Sequence, residues 1–218
     1  MGTVTIAASF GAGGSVVAPA VAARLELPFV DRAIPVGLAE RLDHPLMQAL
    51  AEDERHHNAV RYLLDRAIAN TGLFLGVPTP LDHLGADRHV AATEDAIRHL
   101  AEGSGAVILG RAAVFVLTGR PNVLHVHLDG PMEARRAQAM AHDGLDYRTA
   151  SARQQRTDRA RAAYISHFHP EAGDWQDLRH YHLTIDSTAI SLDLCVDVIS
   201  RAARELFART AAPRQPAR

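Results

Sequence analysis

The length, composition and charge of the chain exclude several classes of protein. Its 218 residues are 47% hydrophobic, carry a formal net charge of -2 and include one cysteine, Cys195, so we expect one domain with a large core and no disulfide framework. No apolar run approaches the roughly 20 residues that span a membrane, and the net charge does not favour nucleic acid. We therefore expect a cytoplasmic protein without membrane or nucleic-acid partners.

The chain opens with a strand, a glycine-rich turn and a helix. Residues 4–8 are short, apolar and β-branched at their start, as in a buried parallel strand. Apolar residues at helical spacing follow over residues 15–25, and residues 29–31 predict a brief second strand that ends in a carboxylate.

The rest of the chain alternates helical and strand patterns. The polar stretch 33–100, broken by proline and glycine, predicts helices at 45–53, 54–70 and 90–101. Further strands are predicted at 106–109, 123–128 and 183–185. Further helices are predicted at 131–142, 147–167 and 190–209, before a Pro/Ala/Arg-rich tail at 211–218 that we expect to be disordered.

This alternation predicts an α/β fold with a five-stranded parallel sheet covered on both faces. Ligands of such sheets bind beyond the carboxyl ends of the strands. The site should therefore be built from the segments that follow the strands, namely 9–15, 31–32, 110–111, 129 and 186–188.

A candidate phosphate-binding loop follows the first strand. Residues 8–15, Ala-Ser-Phe-Gly-Ala-Gly-Gly-Ser, have the spacing of the P-loop pattern GxxxxGK[ST], with Ala8 at the first glycine and Gly14 at the lysine. Backbone N–H groups in such a turn bind an anion, helped by the dipole of the following helix. The expected phosphate ligands are Gly11, Ala12, Gly13, Gly14 and Ser15, with the Ser15 hydroxyl on a nucleotide-bound Mg²⁺.

Two other interpretations of the loop stay open. It could be a tight strand-to-helix turn that uses glycine for positive φ. It could also be a dinucleotide loop of the GxGxxG type, although Val16 stands where the third glycine belongs. All 23 basic residues are arginine, because the sequence has no lysine. The usual lysine role must therefore fall to arginine, a backbone N–H, a metal ion or nothing.

Several short segments, taken in order, resemble the cytidylate kinase-like family, a branch of the P-loop nucleoside monophosphate kinases. The segments are 9–15 (SFGAGGS), 27–32 (LPFVDR), 107–111 (VILGR), 122–126 (NVLHV), 158–161 (DRAR) with Tyr164, 174–175 (DW) and 181–187. The resemblance implies a P-loop three-layer sandwich over residues 1–210. It also implies a helical acceptor-binding region at 33–100 and an arginine-rich helical lid at 143–170.

The resemblance further implies an ATP-dependent phosphotransferase that uses ATP and Mg²⁺. The γ-phosphate would pass to a nucleoside monophosphate of the CMP or dCMP type, or to a related small acceptor. Asp31 would order the acceptor or a metal ion, and Arg111 would grip an acceptor phosphate bidentately. The alternatives are a helix N-cap for Asp31 and a surface ion pair for Arg111.

Four arginines crowd the helix predicted at 147–167, together with Asp158; they are Arg153, Arg156, Arg159 and Arg161. The resemblance implies that Arg156 and Arg159 act with Asp31 in catalysis. Asp158 and Arg161 would contact the acceptor, because they match the last positions of the related motif R-D-x-x-D-x-x-R. Gln154 stands at the first position, which weakens the case for cytosine-ribose recognition. The alternative is a solvated helix with local Asp158 to Arg161 pairing.

The segment after the last predicted strand carries two more candidates. Ser187 and Thr188 resemble the segment that borders adenine, and a plain helix start explains them equally well.

Two rival functions remain in view. Three HxH pairs, His125/His127, His167/His169 and His180/His182, suggest a metal-dependent hydrolase, because on a strand this spacing puts both rings on one face. A nucleotide-binding regulatory module without transfer is the other rival, and Gly14 is its main support. For the kinase we expect small nucleotides as partners, and a homodimer is left open.

Overall fold

The computed structural model describes residues 2–31, 86–110 and 112–211. The helices predicted at 45–53 and 54–70, and with them most of the acceptor-binding region expected at 33–100, lie outside these ranges. Arg111 and the tail after residue 211 also lie outside them.

A five-stranded parallel sheet forms the centre of the domain, as the sequence predicted. Its strands are β1 (Thr3–Ala8), β2 (Phe29–Asp31), β3 (Val107–Leu109), β4 (Val123–Asp129) and β5 (Leu183–Asp186). They lie in the order β2-β3-β1-β4-β5. Because β2 and β3 lie on one side of β1 and β4 and β5 on the other, the carboxyl end of β1 is a topological switch point, where such sheets bind ligands.

The helices match the predicted ones to within a few residues. They are α1 (Gly14–Leu25), α2 (Ala86–Glu102), α3 (Ala113–Val116), α4 (Met132–Asp143), α5 (Tyr147–Phe168) and α6 (Leu192–Ala211), with 3₁₀ turns at Pro170–Ala172 and Leu178–His180. The four-residue α3 was not predicted, since it is too short to show a period. Ala211, which was predicted to belong to a disordered tail, is the last residue of α6. Among the helices of the described ranges, none is long and apolar enough to cross a bilayer.

One face of the sheet packs against α1 and α6. Alternate residues of the central strands, such as Val4, Ile6 and Val126, are fully buried there with Val17 of α1 and Ile199 of α6. These two helices cover the central strands on this face, which explains why those strands are apolar over most of their length.

The opposite face carries α2, α3 and α5 and is more polar. Ala7 of β1 packs there with Ile165 of α5 and with Trp175 and Tyr181 from the segment before β5. Helices on both faces make this a three-layer α/β sandwich.

Two histidines of β4 belong to this second face. The His125 ring is 4% exposed, lies 2.8 Å from Thr5 Oγ1 through Nδ1 and stacks on His182 at 5.0 Å between centroids. The backbone N–H of His125 donates to His182 Nδ1 at 3.0 Å. Burial, with a smaller contribution from the His182 charge, lowers the pKa of His125 to about 4. Burial likewise lowers the pKa of His127.

The buried His125 predicts a loss of stability in mild acid. The unfolded chain takes up a proton near pH 6.5 and the folded chain only near pH 4. The stability linked to neutral His125 is therefore fully present above pH 6.5 and is lost as the pH falls to 4, by roughly 3 kcal/mol. We expect His125→Asn, whose amide can keep the Thr5 contact, to reduce the loss of unfolding free energy between these pH values, as measured by urea titration, while the contribution of His127 remains.

His167→Asn provides the matched control, because His167 is exposed on α5. The wild-type slope should persist in this variant. An equal slope in His125→Asn and wild type would contradict the assignment.

Candidate phosphate-binding site

The loop between β1 and α1 is shaped by glycines that cannot be replaced without strain. Gly11 and Gly13 have φ values of +76° and +72°, which favour glycine. A Cβ atom at Gly11 would lie 2.1 Å from the Arg135 carbonyl oxygen, and one at Gly13 would lie 2.6 Å from Leu192 Cδ2. The loop is therefore pressed against α4 and α6, and only bare backbone fits.

The loop leaves four backbone donors for a ligand. Val16 and Val17 donate to the Gly13 carbonyl, as the first turn of α1 requires. Four other N–H groups of the loop, those of Gly11, Gly13, Gly14 and Ser15, donate to no acceptor within the described ranges. Four such donors at the amino end of a 12-residue helix suit a phosphate group.

One predicted phosphate donor is used within the loop. The N–H of Ala12 donates to the Ser9 carbonyl at 3.0 Å, so it closes a turn and does not point to a ligand. The N–H of Phe10 donates to Asp158 Oδ1 at 3.0 Å. The sequence pattern could not separate donors that close the turn from donors that remain for an anion.

Side chains from outside the loop hold four of its carbonyl oxygens. The donor groups come from α4, α5 and the segment after β5. The bonds are Arg161 Nη1 to Ala8 O (2.5 Å), Arg135 Nη1 to Phe10 O (2.8 Å), Gln138 Nε2 to Gly11 O (2.9 Å) and Ser187 Oγ to Ala12 O (2.8 Å). The loop conformation is therefore set by contacts that exist before any ligand binds.

The charges around the loop nearly cancel. Arg135 contacts Asp129 at 3.2 Å and Asp158 at 3.1 Å, and its side chain is 8% exposed. Arg161 lies 3.5 Å from the same Asp158 and is 3% exposed. Two guanidinium groups thus face two carboxylates, and of the two arginines Arg161 also borders the cleft in front of the loop.

The cleft in front of the loop is walled by α4, α5 and α6. Its lining includes Gln138, His142 and Asp143 of α4, Arg161 of α5 and Leu192 of α6. The sequence analysis missed the α4 residues. The available signal was their spacing, because Arg135, Gln138 and His142 stand at i, i+3 and i+7 on a helix that follows a strand end.

The arginine-rich helix is a packed part of the domain. Gln154 is 1% exposed and joins α5 to α4, accepting from Arg136 Nε at 3.1 Å and donating to the Met132 carbonyl at 2.9 Å. Arg156 and Arg159 are exposed on the same helix. The local Asp158 to Arg161 pair exists, but both of its members also bind the loop. The closure of α5 as a lid stays a prediction.

The remaining predicted residues are only partly brought to this site. Asp31 is exposed at the carboxyl end of β2, two strands from β1. Ser187 is fully buried, and its hydroxyl donates to the Ala12 carbonyl of the loop. Thr188 donates to Asp186 Oδ1 from its backbone N–H at 2.9 Å and from its hydroxyl at 2.6 Å. Neither starts a helix, because α6 begins at Leu192 with Ser191 Oγ accepting from the N–H of Leu194. The adenine-bordering role stays a prediction.

The histidine pairs do not assemble a metal site in the part of the chain that the structure describes, where no group of three or more His, Cys, Asp or Glu side chains could hold an ion. His127 stacks on Tyr181 with 4.7 Å between ring centroids, and His180 Nε2 lies 2.9 Å from the Ala172 carbonyl. These rings pack within the second face of the sheet. The metal-dependent hydrolase therefore has no support in the described residues.

The chain is similar to several solved structures. A protein from Eubacterium ventriosum ATCC 27560, described as uncharacterized, has a TM-score of 0.63 and 20% identity, covering 94% of this chain and 99% of that one. A shikimate kinase from Acinetobacter baumannii in complex with shikimate has a TM-score of 0.46 and 12% identity, covering 94% of both chains. A gluconokinase from Sinorhizobium meliloti 1021 has a TM-score of 0.44 and 16% identity, covering 96% of this chain and 93% of that one.

The sequence comparisons give one family. No curated protein matches the chain. The pattern described as the cytidylate kinase-like family matches residues 3–189, which include all five strands, the glycine-rich loop and the arginine-rich helix. The chain therefore belongs to the cytidylate kinase-like family, with the α/β fold of P-loop kinases.

Proposed function

We propose that this chain is an ATP-dependent phosphotransferase that acts on a nucleoside monophosphate or a related small acceptor. The observation that carries the proposal is the set of four backbone donors at the amino end of α1, beside the buried guanidinium of Arg161. Backbone donors at a helix terminus bind phosphate oxygens without a cationic side chain of their own. Membership in the cytidylate kinase-like family makes a nucleotide polyphosphate the natural ligand.

In this proposal, different residues contact the ATP phosphates, Mg²⁺ and the acceptor. The N–H groups of Gly11, Gly13, Gly14 and Ser15 would hold the phosphates of ATP. The Ser15 hydroxyl, at the start of α1, fits Mg²⁺, which in such enzymes neutralises charge on the phosphates. In this scheme Arg156 and Arg159 neutralise the charge that develops in transfer, and Asp31 and Arg111 position the acceptor. Transfer would then depend on positioning and electrostatics.

The proposed acceptor is a class of small molecules that is wider than CMP and dCMP. The motif that recognises the cytosine ribose in cytidylate kinases begins with arginine, and Gln154 stands there in this chain. Its amide is committed to Arg136 and Met132 between two helices, so it has no freedom to contact a ribose. CMP and dCMP are therefore candidates within a wider class of small phosphorylated or hydroxyl-bearing acceptors.

Phosphate transfer predicts ADP release that depends on an acceptor. With ATP and Mg²⁺ present, we expect at least one member of a panel of nucleoside monophosphates and small hydroxylated metabolites to raise ADP release well above the rate without acceptor. A coupled spectrophotometric assay measures this. ATP binding by calorimetry with no turnover on any acceptor would instead favour the second candidate.

That second candidate is a nucleotide-binding regulatory module. Gly14 favours it, because the P-loop lysine accompanies the β/γ-phosphates during transfer and this chain has none. The exposed Arg156 and Arg159 favour the enzyme, since storage of a nucleotide has little use for them.

Arg159 allows a test of catalysis separate from folding. Because the side chain is exposed, Arg159→Gln should leave the melting temperature unchanged. If Arg159 stabilises charge in the transition state, kcat should fall by about 100-fold while the ATP dissociation constant changes little. Arg201→Gln, an exposed arginine on α6, is the charge-matched control. An unchanged kcat in Arg159→Gln would remove this residue from the mechanism.

Ser15 allows a test of the metal assignment. Ser15→Ala removes the hydroxyl and keeps the backbone donor. We expect ATP affinity with Mg²⁺ to fall by about tenfold and ATP affinity in EDTA to stay near the wild-type value. Calorimetry measures the ATP dissociation constants of wild type and variant with Mg²⁺ and in EDTA. An equal loss of affinity under both conditions would contradict a metal contact at Ser15.

A further inference from the structure

The chain departs from the P-loop motif at two positions that lie close together. The motif places glycine at the position of Ala8 and lysine at the position of Gly14, whereas this chain has a methyl group at the first and no side chain at the second. A Cβ atom at Gly14 would lie 2.6 Å from the Ala8 Cβ and 3.2 Å from Leu109 Cδ1. In this backbone conformation, the methyl group of Ala8 therefore leaves no room for a side chain at Gly14 unless the backbone shifts.

The steric conflict cannot be relieved by a rotamer change, because both atoms are Cβ atoms set by the backbone. Ala8 ends the buried strand β1, and Gly14 begins α1 and is itself buried. Glycine in place of Ala8 would therefore give a lysine at position 14 room without a shift of the backbone.

A different cation reaches the same place. Arg161 comes from α5, is 3% exposed, and donates from Nη1 to the Ala8 carbonyl at 2.5 Å. It lines the same cleft as Gly11, Gly13, Gly14 and Ser15. A buried guanidinium thus lies beside the residue whose methyl group leaves no room for a side chain at Gly14 in this backbone conformation.

Arg135 is the other guanidinium near the loop, and its position does not suit this role. It contacts Asp129 at 3.2 Å and Asp158 at 3.1 Å, and its Nε donates to the Gly130 carbonyl. Arg161 also lies near Asp158, at 3.5 Å, so the location of each side chain is what separates the two. Arg135 is not among the residues that line the cleft, whereas Arg161 is. The two arginines therefore differ: Arg135 braces the back of the loop, and Arg161 faces the ligand side.

We propose that Arg161 supplies, from α5, the positive charge that the P-loop motif places at position 14. This inference rests on the proposed binding of a nucleotide polyphosphate at the loop. It also reassigns Arg161, for which the family resemblance implied contact with the acceptor. Arg161 binds the Ala8 carbonyl and lies 3.5 Å from Asp158. A guanidinium has five N–H donors in a planar fork, so it can contact several acceptors at once, and a phosphate oxygen can be one of them.

The test measures ATP dissociation constants by calorimetry with Mg²⁺, and melting temperatures without ligand. Arg161→Gln should weaken ATP binding by about 10- to 100-fold, the range expected for one lost charged hydrogen bond. Arg161→Lys, which keeps the charge without the fork, should fall between Arg161→Gln and wild type. Arg201→Gln, exposed on α6, should bind as wild type does.

The decisive variant restores the motif. Ala8→Gly with Gly14→Lys, introduced together into Arg161→Gln, should recover ATP affinity to within a few fold of wild type, because the new ammonium replaces the lost guanidinium. Gly14→Lys introduced into Arg161→Gln without Ala8→Gly should lower the melting temperature and should not recover ATP affinity, because Ala8 keeps its methyl group. If Arg161→Gln does not fold, the same pair of substitutions is introduced into Arg161→Lys. There the partial loss of ATP affinity should be restored to near the wild-type value.

The outcomes separate this inference from the proposed function. Wild-type affinity in folded Arg161→Gln, or a folded triple variant that stays as weak as Arg161→Gln, would overturn the role of Arg161 and leave nucleotide binding standing. Failure of the wild-type protein to bind ATP would overturn both.

Discussion

The glycine-rich loop after β1 takes its shape from donors that lie outside it. Arg161, Arg135, Gln138 and Ser187 each bind one loop carbonyl. A turn rich in glycine has many accessible conformations, and ordering it costs more entropy than ordering any other sequence of that length. Contacts from three other segments meet that cost during folding, so the four remaining N–H groups are in place for an anion.

The same contacts explain how a P-loop can persist without its lysine. A lysine at position 14 would add charge through its ammonium group, and its Cβ would occupy space beside Ala8. In the role that we propose for Arg161, its guanidinium provides both the charge and the support of the loop, from a helix that packs against the sheet and α4. The arginine-rich helix is thus part of the wall of the site. Under the proposed function, its exposed residues Arg156 and Arg159 would separate an enzyme from a protein that only binds a nucleotide.

The abundance of histidine has a structural explanation in the described part of the chain. His125 and His127 lie on one face of β4, as HxH spacing on a strand requires. That face is covered by Trp175, Tyr181 and His182, so the rings stack on aromatic neighbours. Burial favours neutral imidazoles, which makes this layer of the core sensitive to acid. Spacing alone could not distinguish such packing from metal ligation.

Local patterns in the sequence were enough to predict the strands, most of the described helices and the position of the loop; examples are the apolar run at 123–128 and the spacing of glycines before Ser15. The order of short segments was enough to predict the family. The folded chain was needed to show which loop amides remain for a ligand, that Gln154 and Ser187 bind other parts of the chain, and that Arg161 binds Ala8, 153 positions away. Contacts between distant segments leave no periodic trace in a sequence, because they are set by how helices pack on the sheet.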